Sequence, residues 1–190
     1  MDLPELSGSV SLSVVSGCGG TTLGLTYSKS ILTKGGRVAW VAPKAPDAER
    51  FRDILGGIPI TAMSRFHLLE CGENITQGVD SVIAFTSTIG VDLIVIDDWT
   101  PRTGRADTIV LTKLSELVSC DYNGKTLIIS AAYDDASGSE EHKSRGGSRL
   151  DEMGFEIWFL KPRDLPQSRI LEKDEDSIRL KITESGFSMS

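Results

Sequence analysis

The run Val91-Asp92-Leu93-Ile94-Val95-Ile96 constrains this chain more than any other stretch. It is almost unbroken apolar sequence, and it ends in Asp97-Asp98. A strand that alternates apolar and polar residues buries one face. A strand apolar at successive positions has both faces covered, as a parallel strand does between two helical layers. Thr126 to Ala131 has the same character. Shorter strands are expected at Val10 to Val15, with Val10, Leu12 and Val14 on one face, at Arg37 to Ala42 and at Phe66 to Cys71. Strands alternating with helices predict the α/β class and a mostly parallel sheet.

The helices between them follow from periodicity. One runs from the Gly-rich turn after the first strand to about Thr33, where Lys34-Gly35-Gly36 stops it. A second spans Asp47 to Leu55 with Asp47 as N-cap. A third follows Asn74 and places Ile75, Val79, Val82, Ile83 and Ile89 near one face. A fourth carries Val110, Leu114, Leu117 and Val118 at i, i+4, i+7 and i+8. Tyr133 to Ser148 is the longest connection, polar and rich in Gly and Ser, a length that marks a binding or mobile loop. Phe155 to Leu160, Ser168 to Glu172 and Ile178 to Ile182 read as closing strands, the last two an antiparallel hairpin turning at Lys173 to Asp176. No repeat and no second domain is evident, so residues 1–190 are expected to form one domain.

Composition removes several function classes. Acidic residues outnumber basic ones, 27 to 20, giving a net charge of −7. That opposes non-specific coating of nucleic acid or anionic membrane, while leaving room for a local basic patch. No apolar stretch approaches the ~20 residues of a membrane span. Met1 to Leu6 carries Asp2 and Glu5 and has no basic, apolar leader pattern. Cys18, Cys71 and Cys120 are odd in number and form no CxxC pair. A cytoplasmic protein without membrane contact is expected. His67 and His142 are the only histidines, and neither lies in a metal or triad motif.

The chemistry concentrates after the first strand. In Val15-Ser16-Gly17-Cys18-Gly19-Gly20-Thr21-Thr22 the layout is strand, Gly-rich turn, helix. Glycines let backbone N–H groups converge on phosphate oxygens, and the helix start adds its positive dipole end. The pattern G-x-x-x-x-G-K-[ST] is matched at Gly20 and Thr22 only, with Val15 in place of the first glycine and Thr21 in place of the lysine. That lysine brings positive charge to the β- and γ-phosphates, and a threonine offers only a neutral hydroxyl. Two readings stand: a cradle that holds nucleotide weakly through Gly17, Cys18, Gly19, Gly20, Thr21 and Thr22, and a Gly-rich turn that binds nothing. Asp97, closing the second half of the pattern, is placed to share Mg²⁺ with Thr22 if metal is bound.

These two motifs and their order resemble the core of the RecA superfamily, close to RadA/RadB-type recombinases and their paralogues, over nearly the whole chain. Arg37-Val38-Ala39-Trp40-Val41 followed by Asp47-Ala48-Glu49-Arg50-Phe51 resembles the family's second strand and the helix after it. Leu93 to Asp98, with the later Arg102-Thr103-Gly104-Arg105, resembles the Walker B strand and the first DNA loop. Ser144-Arg145-Gly146-Gly147-Ser148-Arg149 resembles the Gly-Gly element after the second. The resemblance implies a three-layer sandwich around a P-loop core, ATP and Mg²⁺ as potential ligands, and DNA contacts from Arg102, Arg105, Lys143, Arg145 and Arg149. It also exposes two losses. The lysine is Thr21, and the place of the catalytic glutamate falls near Lys44. The N-terminal helical DNA-binding module of full recombinases has no counterpart in this sequence.

The expectation is therefore a RecA-fold paralogue with no assigned catalytic residue. It would act as an accessory or assembly subunit in DNA recombination and repair, with a recombinase-type or paralogue partner in a homo- or hetero-oligomer, and contact single-stranded DNA. The alternatives are a structural subunit of an Elongator-, KaiC- or DnaB-like ring and an ATPase working with a deviant loop. Cys18 reads either as a reactive thiol at a helix start or as a small residue in a tight turn. Trp99, following the Asp pair, and Trp158 read as packing residues first.

Overall fold

The computed structural model describes residues 3–101, 103–134, 142–174 and 176–190. In chain order the elements are β1 (Ser9–Val14), α1 (Gly20–Thr33), β2 (Val38–Ala42), α2 (Ala48–Leu55), α3 (Ile60–Met63), β3 (Phe66–Glu70), α4 (Ile75–Thr88), β4 (Leu93–Asp97), α5 (Thr108–Ser119) and β5 (Lys125–Ala131). They continue with β6 (Tyr133–Asp134), β7 (His142–Lys143), α6 (Ser148–Glu152), β8 (Glu156–Pro162), β9 (Ser168–Lys173), β10 (Asp176–Thr183) and β11 (Gly186–Met189).

The main sheet has the order β11-β10-β9-β8-β1-β5-β4-β2-β3. From β8 to β3 every pairing is parallel, and β9 to β11 are antiparallel. This is the three-layer α/β arrangement expected. Two details differ from the sequence reading. β10 pairs on its other side with a further antiparallel strand, β11, so the extension is one strand longer than the hairpin expected. α3 and β11 are too short, and too weakly patterned, to stand out in the sequence.

The apolar runs are continuous because both sheet faces are covered. Leu93 and Val95 of β4 join a core with Val10, Leu12, Val38, Trp40 and Leu127 under α1. Ile94 and Ile96 join the opposite core with Val79, Val82, Leu114 and Leu117 of α4 and α5. Helix α1 lies close to the sheet because it carries Gly24: a Cβ there would come within 2.9 Å of both Ile129 and Trp40. Three helix starts carry side-chain caps, the expected Asp47 among them. Asp47 accepts from the Arg50 N–H and Asn74 from that of Gln77, and Asp107 accepts from Ile109 at the start of α5.

Chain order puts β1 in mid-sheet, flanked by β5 and β8, while the next strand, β2, lies beyond β5 and β4. The connection crosses over, and the C-terminal ends of β1, β5, β4 and β2 open a crevice there. In open α/β sheets this is where ligands bind.

Candidate functional site

The crevice is a cleft of about 640 Å³, within the range of small-molecule sites. Its floor is the turn between β1 and α1, contributing Ser16, Gly17, Gly19, Gly20 and Thr21. Lys44, Asp47 and Arg50 come from the β2–α2 side, Asp97 and Asp98 from the end of β4, and Ser130 from β5. Cys18 and Thr22 are buried and do not reach its wall.

Local chemistry sets the turn's shape. Gly17 and Gly19 have φ of 77° and 91°, a left-handed backbone that a side chain disfavours. Gly20 begins α1 against Val14 and Ile129, and a Cβ there would approach their methyl carbons to 2.7 and 2.9 Å. Arg169 of β9 reaches beneath the loop, donating from Nε to the Cys18 carbonyl at 3.2 Å and from Nη2 to the Gly17 carbonyl at 3.4 Å. In a planar trans peptide C=O and N–H point opposite ways, so a carbonyl held by Arg169 aims the Gly19 N–H away from it. Among the described residues the amides of Gly19, Gly20, Thr21 and Thr22 have no hydrogen-bond acceptor, since the first donor used is Leu23, to Gly19. Four free amides at a helix start make an anion-binding concavity.

The two threonines have separate partners. Thr21, in the lysine's place, donates its hydroxyl to Asp97 Oδ2 at 2.8 Å. Thr22 accepts from Arg50 Nε at 3.1 Å. The structure thus joins Asp97 to Thr21 and leaves Thr22 with Arg50. Asp97 is nine-tenths buried, and burial pushes its carboxyl up from the ordinary 3.8 to about 6, against the opposing hydrogen bond from Thr21. Asp98 adds like-charge repulsion. It has φ of 53°, one of two non-glycine residues in the left-handed region among the described residues. That conformation turns Asp98 into the cleft, and strained backbone of this kind collects at ligand sites. Ser130 presents a buried hydroxyl with no partner among the described residues.

The basic residues divide. Arg145 lines the cleft, donating to the carbonyls of Ala131 and Gly104, with Tyr133 5.6 Å away under its guanidinium. It ties the loop after β4 to the loop after β5. Arg149 is exposed on α6, beside Thr108 on a separate groove. Arg105 is exposed, Lys143 half-buried, and Arg102 lies outside the described residues. Lys44 also reaches the cleft, and the Glu70 carboxylate takes the neighbouring Ala45 N–H at 3.0 Å, fixing that loop.

Sequence reasoning placed Arg50 and Arg169 in the correct elements and missed their roles. Arg50 had one legible signal: three residues after an N-cap that closes a strand's C-terminal end, it sits at the crevice. Arg169 had none, because the contact depends on β9 folding back beside β8. Cys18 is buried and burial raises its thiol pKa, the environment of a packed turn residue. Trp99 and Trp158 are core residues. The His67 ring lies 3.0 Å from Arg37 and against Phe85, and burial lowers its pKa. Among the described residues no group of three His, Cys, Asp or Glu is arranged to hold a metal.

No family model and no curated protein matches this chain. Among solved structures, a DnaB-like replicative helicase, described with its interactions with primase, superimposes with a TM-score of 0.68 at 10% sequence identity. The match covers 95% of this chain and 57% of the helicase chain, so this chain spans just over half of that protein's length. What the two share is the fold, a RecA-like α/β core. No helix among the described residues is long and apolar enough to cross a membrane.

Proposed function

We propose that this chain is a RecA-fold subunit that holds a nucleotide in its cleft without efficient turnover and works by assembling with other RecA-fold chains on single-stranded DNA. The observation that carries the reading is the pairing of an intact amide cradle with a disabled lysine position. The Gly19 to Thr22 amides are unspent, while Thr21 is bonded to Asp97 and brings no charge to a γ-phosphate. No carboxylate stands at Lys44 to orient an attacking water. A nucleotide held this way is a structural ligand.

The partner is a recombinase-type or paralogous chain, and the setting is recombination and repair. A ring of DnaB-like subunits is the second reading, favoured by the helicase likeness. Both need an assembly surface. β3 ends the sheet with Leu68 and Leu69 exposed, and Ile60, which begins the preceding α3, is 84% exposed. An open apolar edge of this sort supports chain-to-chain contact. The linkage of the two loops through Arg145 supports a nucleic-acid face set by the cleft's occupancy.

The test is thermal unfolding with ATP in magnesium buffer, beside a phosphate-release assay. At a hundredfold excess over Kd the transition rises by about 5–10 °C. Phosphate release stays at background, and Thr21→Lys enlarges the thermal shift. No shift in either protein, or sustained phosphate release abolished by Asp97→Ala, sinks the reading.

A further inference from the structure

Nucleotide sites of this layout are expected to take Mg²⁺ on the hydroxyl that follows the lysine position, here Thr22. The residues present do not fit that ion. The Thr22 side chain is buried and off the cleft wall. Its oxygen already accepts from Arg50 Nε at 3.1 Å. A Mg²⁺ at about 2.1 Å from that oxygen would lie within about 5 Å of a permanently charged guanidinium, with like charges facing each other. Nor can Arg50 readily swing away. Its Nη1 donates to the Glu184 carbonyl at 2.8 Å and its Nη2 to the Thr183 carbonyl at 2.7 Å. Three acceptors on two segments, α1 and the end of β10, hold one planar group. The hydroxyl that does face the cleft, Thr21, is committed to Asp97.

Resting on the nucleotide reading above, we propose that the cleft binds a nucleoside triphosphate without a divalent metal, with the Arg50 guanidinium standing in for it. Arg50 lines the cleft, and three of its five N–H donors are spent on the protein. Two remain for phosphate oxygens. Lys44 and Arg145 add positive charge from the facing walls. Of the carboxylates on the cleft, Asp47 is turned to the start of α2 as its cap, and Asp97 is buried against Thr21. Asp98 and the capping Asp47 are both exposed on the cleft, so what a phosphate meets there is the fixed Arg50 guanidinium and the Lys44 ammonium rather than a large excess of positive charge. The C-terminal hairpin thereby becomes part of the site, because the carbonyls of its turn orient the cation.

The test compares ATP binding by wild type in EDTA and in excess Mg²⁺, by calorimetry and by thermal shift. The expected result is binding in EDTA that excess Mg²⁺ weakens, and never tightens, because the ion complexes the free nucleotide that the site takes. Arg50→Met, which keeps the stem and removes the guanidinium, weakens binding in EDTA by about tenfold or more. It also frees Thr22, so that Mg²⁺ now tightens binding. If Arg50→Met does not fold, Arg50→Lys serves: charge is kept without the fixed fork, and metal-free binding weakens but persists. Binding of ATP by wild type only in Mg²⁺ overturns the metal-free site and leaves the nucleotide reading standing. An Arg50→Met protein that binds in EDTA as wild type does also overturns it. Absence of binding in both buffers overturns both.

Discussion

Asp97 shows how far one residue's setting departs from its sequence. An aspartate ending an apolar strand reads as an ionised metal ligand, yet here it is buried and takes a hydroxyl from Thr21. Its carboxyl titrates near 6 rather than the ordinary 3.8. As pH rises through this interval the unfolded chain releases the proton before the folded one does. Stability from this group is therefore complete below the lower value and lost as pH passes the upper, about 3 kcal/mol in all. Asp97→Asn keeps an acceptor for Thr21 and removes the ionisation. Denaturant titrations from pH 4 to pH 7 are expected to show the variant gaining on wild type as pH rises, with the gap levelling above about 6.5. Equal pH slopes for the two proteins would contradict this assignment. The Thr21 partnership was not legible, because the sequence aligns Thr22, not Thr21, with the metal hydroxyl.

At the scale of elements, the C-terminal hairpin is the piece whose importance the sequence concealed. β11 is four residues long and carries no strong pattern. It nonetheless packs Phe187 into the core beneath α1, and the Phe187 N–H donates to Thr26 Oγ1 at 3.1 Å. The same side chain and Ile182 lie against Gly19 of the Gly-rich turn. Phe187→Ala removes a buried ring and is expected to cost about 3–5 kcal/mol in chemical denaturation. Because the ring also backs the start of α1, ATP binding should weaken alongside. A variant that loses stability while binding ATP as wild type does would separate the hairpin from the site. The β4 and β5 strands were legible for the opposite reason: their residues are largely apolar on both faces, and a parallel sheet between helical layers is what such strands require, while β1 was legible from its alternation of Ser with Val and Leu.

For the whole molecule, a net charge of −7 sets the background against which any nucleic-acid contact works. Arg105 and Arg149 are exposed, while Arg145 is tied to the backbone of both loops. If single-stranded DNA tracks this face, fluorescence anisotropy of a labelled oligonucleotide should fall steeply with salt. Arg105→Ala should reduce the slope of log K against log salt by about 0.7. A slope indifferent to Arg105 and Arg149 alike would remove this face as the interface. By itself the sequence determined the α/β class, the parallel core strands, the capped helices and the place of the Gly-rich turn, all consequences of local periodicity and backbone chemistry. Only the tertiary structure decided which hydroxyl meets Asp97, that Arg50 takes Thr22, and that Arg169 orients the loop from beneath. Those pairings join residues from 28 to more than 150 positions apart, and a side chain's partner at such separations is set by how strands are ordered in the sheet, which no local pattern encodes.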